Sequence, residues 1–163
     1  MGKIRILIVD DEPIYREGLC RILEAEEDLE VVAGSSNYEE AIRLAEELSP
    51  DVVVIGVSIP ELSNVEIISR IKALCADAAI LVVSSAISGS LLLACLRAGV
   101  AGYLLRKTDL REMVNAVRSL HGGEVVLEKE GVSKMLEEIK RGEEAGKILL
   151  LKDREVEVLK LVA

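Results

Sequence analysis

The chain has 163 residues, a length that suits one full domain with a hydrophobic core plus a short appendage rather than two complete domains. Apolar residues make up 50% of the chain but aromatic residues only 2%, so the core must be built from Val, Ile, Leu and Ala, which favours buried parallel strands covered by helices. The formal net charge of -9 argues against the whole chain being a nucleic-acid clamp, because phosphate binding needs a basic face.

The amino-terminal sequence and the cysteines predict a soluble, cytoplasmic protein. The start, MGKIRILIVDDEP, lacks the layout of a signal peptide, because two aspartates follow a short apolar run. No segment approaches the roughly 18 uninterrupted apolar residues of a membrane span. Cys20, Cys75 and Cys95 lie far apart in apolar runs, and we expect buried, reduced thiols.

Short β-branched runs alternate with helical patterns five times, which is typical of a parallel sheet with crossover helices. The predicted strands are residues 3–9, 29–34, 51–56, 79–84 and 101–105. The predicted helices cover residues 13–26, 37–48, 64–75, 88–98 and 109–121. The helix at 88–98 is too apolar at 91–95 to face one core, so part of it is expected to be exposed for a partner.

The pattern changes after Gly123. Residues 123–150 contain a short extended piece, a charged amphipathic helix and a polar connection, which is most simply a solvated linker. Residues 151–163 resume an apolar helical repeat, which must either pack on the main domain or belong to a second domain. The predicted division is therefore 1–122, 123–150 and 151–163.

Polar residues follow three of the predicted strands at their carboxyl ends, where ligands collect in an open parallel sheet. The first strand ends in Asp10 and Asp11, which can hold magnesium; alternatively, Asp11 caps the following helix and Asp10 is solvated. The fourth ends in Ser84, whose hydroxyl can bind a phosphoryl oxygen or turn the chain. The fifth is followed by Arg106 and Lys107, cations that can pair with the acids.

The segments ILIVDDEPIYREGL, PDVVVIGVSIP, ILVVSSA and RAGVAGYLLRKTDLREMVNAV resemble a response-regulator receiver domain of the NarL/FixJ type over residues 3–122. The resemblance implies an α/β, flavodoxin-like receiver fold: a doubly wound, five-stranded parallel sheet of strand order 2-1-3-4-5, followed here by a helical linker. The tail LLKDREVEVLKLVA resembles the first helix of a LuxR-type helix-turn-helix domain, here truncated before the recognition helix.

The resemblance also assigns roles to single residues. Asp10 and Asp11 match the acidic pair that holds magnesium, and Ser84 matches the switch hydroxyl. Tyr103 matches the aromatic residue whose side-chain rotamer reports the switched state, although it can also be a plain packing residue. Gly56 stands where the family carries its phosphate-accepting aspartate, so the phosphoacceptor is lost.

A second departure lies at the cation position. Arg106 stands where the family has its active-site lysine, and Lys107 is one residue further along. A one-residue step on a strand points a side chain to the other face, so Lys107 is a substitute only if the strand has already ended. Ser58 is a conceivable phosphate acceptor, but no activating base is evident beside it.

Glycine cannot form an acyl phosphate, and a magnesium site at Asp10 and Asp11 would be weakened by the loss of one carboxylate, so no cofactor is certain. Three origins of Gly56 are open: a natural pseudo-receiver, an introduced substitution, or a decaying copy.

We predict a regulatory receiver part of a two-component-type transcription regulator, not an enzyme, that acts as a pseudo-receiver by dimerisation or partner binding. The expected partners are a second copy, a histidine kinase or another protein, and DNA only through the missing part of the carboxy-terminal domain. The alternative is a small-molecule or ion-binding module that uses the acidic cleft, where Gly56 opens space.

Overall fold

The computed structural model describes residues 2–57 and 62–141. The described residues form one parallel sheet of six strands with the order β2-β1-β3-β4-β5-β6. The strands are β1 (Ile4–Val9), β2 (Leu29–Ser35), β3 (Val52–Val57), β4 (Ala79–Ser84), β5 (Gly102–Leu105) and β6 (Val126–Leu127). The helices are α1 (Pro13–Glu24), α2 (Tyr38–Leu48), α3 (Leu62–Leu74), α4 (Gly89–Arg97), α5 (Leu110–His121) and α6 (Lys129–Lys140).

The doubly wound receiver fold is confirmed, with the predicted order for the first five strands. The predicted count of five strands is one too low, because the short extended piece after Gly123 adds β6 to the sheet. β6 pairs in parallel with β5, with Gly102 opposite Val126 and Tyr103 opposite Leu127. A strand of two residues is too short to show the alternation by which strands are recognised in a sequence.

Helices cover both faces of the sheet, as the apolar strands require. All six residues of β3 are buried, and so are five of the six in β4. One layer of the core joins the sheet to α1 and α5, and the other joins it to α2, α3, α4 and α6. None of the described helices is long and apolar enough to cross a membrane.

Asn37 is the N-cap of α2, since its side-chain oxygen accepts hydrogen bonds from the backbone N–H groups of Glu39 at 2.8 Å and Glu40 at 3.2 Å. The Asn37 backbone N–H itself donates to Ser35 Oγ at 3.1 Å. Because Ser35 ends β2, this hydrogen bond links the start of α2 to the preceding strand and fixes the direction in which the chain leaves the sheet.

The charged helix predicted in the linker is present as α6, but it is not fully solvated. Val132 and Met135 are buried in the core layer that contains α4, and Leu136 and Ile139 are partly buried there. This contact also accounts for the apolar excess of α4, whose Leu92 is fully buried, because part of its surface is covered by the chain itself.

We propose that the receiver unit extends beyond residue 122 to include α6. The boundary predicted at 150/151 and the helix-turn-helix start at 151–163 lie outside the described residues.

Among the thiols, Cys95 is buried as expected, whereas Cys20 and Cys75 are only half-buried; all three are free.

Candidate functional site

The carboxyl ends of β1, β3, β4 and β5 form the candidate site, since parallel strands bring these ends to one edge of the sheet. Asp10 follows β1, Ser84 ends β4 and Arg106 follows β5. The side chains of Asp10 and Arg106 contact each other, and those of Ser84 and Tyr103 form a separate pair. The predicted polar residues are thus arranged as two pairs rather than one cluster.

Asp10 and Arg106 form a buried ion pair. Arg106 Nη1 lies 3.1 Å from Asp10 Oδ2, and Arg106 Nη2 donates a hydrogen bond to Asp10 Oδ1 at 3.2 Å. The Asp10 side chain is only 1% exposed and that of Arg106 only 12%. At such burial each charge would be costly alone, so the guanidinium is what makes the buried carboxylate tolerable.

Residues of the β1–α1 region hold this pair in place. The backbone N–H of Glu12 donates to Asp10 Oδ1 at 2.9 Å, and Arg106 Nη1 lies 3.3 Å from Glu12 Oε2. The guanidinium also lies over the ring of Tyr15, with Cζ 4.3 Å from the ring centroid, a cation–π contact. Burial raises the pKa of Tyr15, against the opposing effect of the Arg106 charge.

The ion pair is not fully hydrogen-bonded within the described part of the chain. Asp10 Oδ2 and the Nε and Nη1 atoms of Arg106 are buried there without a partner of hydrogen-bond geometry. The contact between Nη1 and Oδ2 has the distance of an ion pair but not the angle of a hydrogen bond. Its attraction is therefore mainly Coulombic.

The carboxylate of Asp10 occupies the space beside Gly56. A Cβ atom added at Gly56 would lie 2.5 Å from Asp10 Cγ and closer still to Oδ2, distances that real Cβ atoms do not show. Glycine is what permits this approach. The expectation that Gly56 opens space for a guest is therefore wrong: the space is filled by Asp10.

The residues present do not fit a magnesium ion. Asp10 is turned towards Arg106, Asp11 is exposed, and position 56 offers no carboxylate. A guanidinium beside Asp10 would repel a divalent cation, which binds best to a few free carboxylates. Within residues 2–57 and 62–141, no group of three His, Cys, Asp or Glu side chains is placed to hold a metal.

Ser84 and Tyr103 form the second pair. Their hydroxyl oxygens are 2.9 Å apart, and both also lie within hydrogen-bond distance of the Ala86 carbonyl oxygen, that of Tyr103 at 3.3 Å, so two hydroxyl protons are shared among three contacts. Neither residue is exposed. Burial raises the pKa of Tyr103, and the hydrogen bond with Ser84 offsets part of that rise.

Of the two candidate cations, Arg106 faces the site. Its backbone N–H donates to the Ser84 carbonyl at 2.9 Å, which extends the register of β5 by one residue and directs the side chain towards Asp10. Lys107 is exposed and lies in the turn that follows. Ser58 lies outside the described residues.

Three site residues were not found from the sequence. Glu12 continues the acidic run of Asp10 and Asp11, and that run was the available signal. Tyr15 stacks on Arg106, and Tyr38 donates to the Gly56 carbonyl at 3.3 Å. Nothing in the local spacing of these tyrosines indicates that they contact the site.

The doubly wound parallel sheet thus carries an acidic residue, a hydroxyl and a cation at its carboxyl edge, the place where ligands bind in sheets of this kind. The family model for the response regulator receiver domain matches residues 6–118, and the chain belongs to this family.

Similar proteins are regulators. The chain is 35% identical over 161 residues to the transcriptional regulatory protein LiaR of Bacillus subtilis (strain 168), covering 98% of this chain and 76% of that protein. It is 34% identical over 165 residues to the transcriptional regulatory protein LnrK of the same organism, covering 96% and 75%. The response regulator protein VraR of Staphylococcus aureus (strain COL) is 33% identical over 160 residues, covering 98% and 76%.

Solved structures of response regulators are also similar to this chain. A LuxR-family two-component response regulator from Aurantimonas sp. SI85-9A1 superposes with a TM-score of 0.75 at 31% identity, covering 84% of this chain and 98% of that one. The signal receiver domain of the putative response regulator NarL from Mycobacterium tuberculosis superposes with a TM-score of 0.70 at 25% identity, covering 76% and 100%. The chain is thus a receiver domain of a two-component response regulator, with transcription regulators among its relatives.

Proposed function

We propose that this chain is the regulatory receiver part of a transcription regulator and that it works without phosphorylation at position 56. The observation that supports this is the place of the Asp10 carboxylate, which fills the space where a side chain at Gly56 would begin. An acyl phosphate requires a carboxylate nucleophile, and position 56 provides none. In this pseudo-receiver the buried Asp10 carboxylate is already paired with Arg106 of the same chain.

The Asp10–Arg106 pair occupies part of the space that a phosphorylated side chain and its metal ion would need. The guanidinium pairs with Asp10 directly, at 3.1 Å, so the buried carboxylate has a cationic partner within the chain. A phosphoryl group would have to compete with a carboxylate that is already buried against Arg106. We infer that the site is held in one arrangement.

We propose that output depends on association. The partner is a second copy of this chain or another protein, a histidine kinase among the candidates, and DNA is bound only through the carboxy-terminal domain that the receiver regulates. The similar proteins LiaR and LnrK are transcriptional regulatory proteins, which supports an output through DNA. The rival idea of a small-molecule or ion-binding cleft receives no support, since Asp10 fills the space that the guest would use.

The test is the light-scattering mass of the purified chain with and without magnesium and beryllofluoride, beside Gly56→Asp and Gly56→Asn variants. A dimer whose mass is unchanged by magnesium and beryllofluoride supports phosphorylation-independent association. The Asn variant controls for the bulk of a side chain at position 56 without its charge.

Two results would overturn the proposal. One is a change in the mass of the unchanged chain on treatment, or its labelling by a small phosphodonor. The other is a monomer that only the Asp variant converts to a dimer, since this would make the protein a disabled switch rather than a constitutive one.

A further inference from the structure

The strand β6 and the helix α6 form a unit that is joined to α5 by a short hinge. We call residues 125–140 the arm and residues 122–124 the hinge, and all three hinge residues are exposed. The backbone N–H groups of the hinge donate to carbonyls in the last turn of α5 at 3.0 to 3.1 Å. Gly123 has a φ of +91°, which favours glycine. The chain therefore turns at the hinge, and the arm begins after it.

The first part of the arm extends the sheet beyond β5. The Val126 backbone N–H donates to the Ala101 carbonyl at 3.0 Å, and that of Glu128 donates to the Tyr103 carbonyl at 3.2 Å. The side chain of Glu128 also takes part, since its Oε1 accepts from Thr108 Oγ1 at 2.7 Å. These bonds pair the edge of β5, which would otherwise be open.

The second part of the arm fits α4 through two glycines. A Cβ atom added at Gly89 would lie 2.6 Å from the Lys134 carbonyl carbon, so the backbone of α6 comes close to α4 there. A Cβ atom added at Gly131 would lie 2.8 Å from Ile87 Cδ1. Lys134 Nζ donates to the Ile87 carbonyl at 3.1 Å, and Met135 is fully buried. The fit is therefore close and specific for this arm.

The surface that receives the arm consists of residues 87–92 and 101–108, and we call it the seat. Every residue of the seat precedes the hinge in the chain, so these contacts do not require that arm and seat belong to the same chain. A second copy offers an identical seat. Exchange of arms between two copies keeps each contact and changes only the course of the hinge. A hinge as short as three residues favours such an exchange.

We infer that two copies of this chain associate by exchanging their arms, so that the seat of each copy holds the arm of the other. This inference names the partner and the interface for the association proposed above, on which it rests. The exchange is closed, because two arms fill two seats and neither β5 edge stays unpaired. The arm also suits a chain of net charge -9, since its four glutamates and three lysines nearly balance.

Complementation between two variants of the full chain tests the exchange. Gly89→Leu blocks the seat, because the new side chain meets the α6 backbone, and leaves the arm intact. Met135→Asp places a carboxylate at a buried position of the arm and leaves the seat intact. We expect each variant alone to dissociate, with the dimer dissociation constant raised about tenfold or more. An equimolar mixture, unfolded and refolded together, should form dimers with one copy of each variant, because one intact arm then meets one intact seat.

Light-scattering mass gives the outcome, and Ser133→Asp is the matched control, since Ser133 is exposed on the same helix. This control should leave the mass unchanged. If both variants alone remain dimers, the copies associate through another surface: the arm exchange is then wrong, while the proposed association stands. If the unchanged chain is itself a monomer, the association fails and the exchange fails with it.

NMR of the unchanged chain gives an answer that does not depend on the folding of a variant. Chains with isotopically labelled isoleucine δ1 methyl groups are refolded with an equal amount of unlabelled chains. Arm exchange predicts an isotope-filtered NOE between the Ile87 methyl group of one copy and the Gly131 α protons of the other, because these groups are in contact. A dimer without this intermolecular NOE would contradict the exchange.

Discussion

Asp10 and Gly56 share one space: a Cβ atom at residue 56 would stand 2.5 Å from Asp10 Cγ. Gly56 lies on β3 and Asp10 directly follows the neighbouring strand β1, and the carboxylate enters this space because the glycine leaves it free. On the other side the carboxylate meets Arg106 at 3.1 Å. The conformation of Asp10 therefore depends at once on a missing side chain and on a cation.

Gly56→Ala should destabilise the fold. An added methyl group forces the buried carboxylate to rotate, which disturbs the ion pair, and overpacking of this kind costs about 1–3 kcal/mol. The usual gain from replacing glycine in a strand, about 0.5–1 kcal/mol, offsets only part of that cost. Urea unfolding of the two proteins measures the difference.

Gly18→Ala is the matched control for this change, because a Cβ there meets nothing within 4 Å and lies within α1. It should stabilise by up to about 1 kcal/mol. A double variant, Asp10→Ala with Gly56→Ala, provides the second check, because the methyl group then has room. Equal costs for Gly56→Ala with and without Asp10 would refute the clash.

Arg106→Met should be strongly destabilising. It leaves the buried Asp10 carboxylate without the guanidinium that pairs with it, and breaking a buried pair from one side costs about 3–5 kcal/mol. The methionine keeps much of the apolar bulk of the arginine, so the loss reports on charge rather than packing. Chemical denaturation at neutral pH gives the free energy of unfolding.

The rescue variant joins Arg106→Met to Asp10→Asn, which removes both charges while an amide oxygen remains to accept from Glu12. Its stability should recover most of the loss. A loss of under about 1 kcal/mol in the single variant would mean that water screens the pair as at an exposed surface.

The periodic patterns of the sequence predict the parallel sheet and the residues at its carboxyl edge, and the resemblance to receiver domains supplies the strand order. It does not predict the conformation of Asp10. That conformation depends on the space beside Gly56 and on Arg106, ninety-six positions away in the chain. Interactions between distant side chains leave no local pattern.

The packing of α6 was missed for a related reason. Its charged residues suggest a solvated helix, but four apolar side chains recur on one stripe, at 132, 135, 136 and 139. The receiving surface includes Gly89, whose importance appears only when the backbone of α6 is seen against it. Glycine carries no side chain by which a sequence could indicate a contact.

Cys95 should make stability fall in alkaline solution. Burial raises the pKa of its thiol from 9.0 to about 11. Above pH 9 the unfolded chain releases this proton while the folded chain retains it, so stability is full below pH 9 and declines up to pH 11. A shift of this size corresponds to about 2–3 kcal/mol.

The free energy of unfolding measured between pH 8 and 11 checks this decline, and Cys95→Ala should make the decline smaller. Burial also raises the pKa of Cys20 and Cys75 and of Tyr103, so a smaller fall remains in the variant. Parallel curves for the variant and the unchanged chain across pH 9–11 would show that Cys95 does not contribute.

Gly89→Ala should cost more stability than Gly131→Ala, although both lie in helices, where alanine normally stabilises by about 1 kcal/mol. At Gly89 the added methyl group meets backbone atoms of α6, which can move away only if the helix does. At Gly131 it meets the side-chain ends of Ile87 and Leu92, which can rotate. The expected loss at Gly89 is about 1–3 kcal/mol, the range for overpacked sites. Thermal and urea unfolding of both variants give the ranking, and the reverse order would mean that α6 shifts on α4 more easily than the side chains beneath it rearrange.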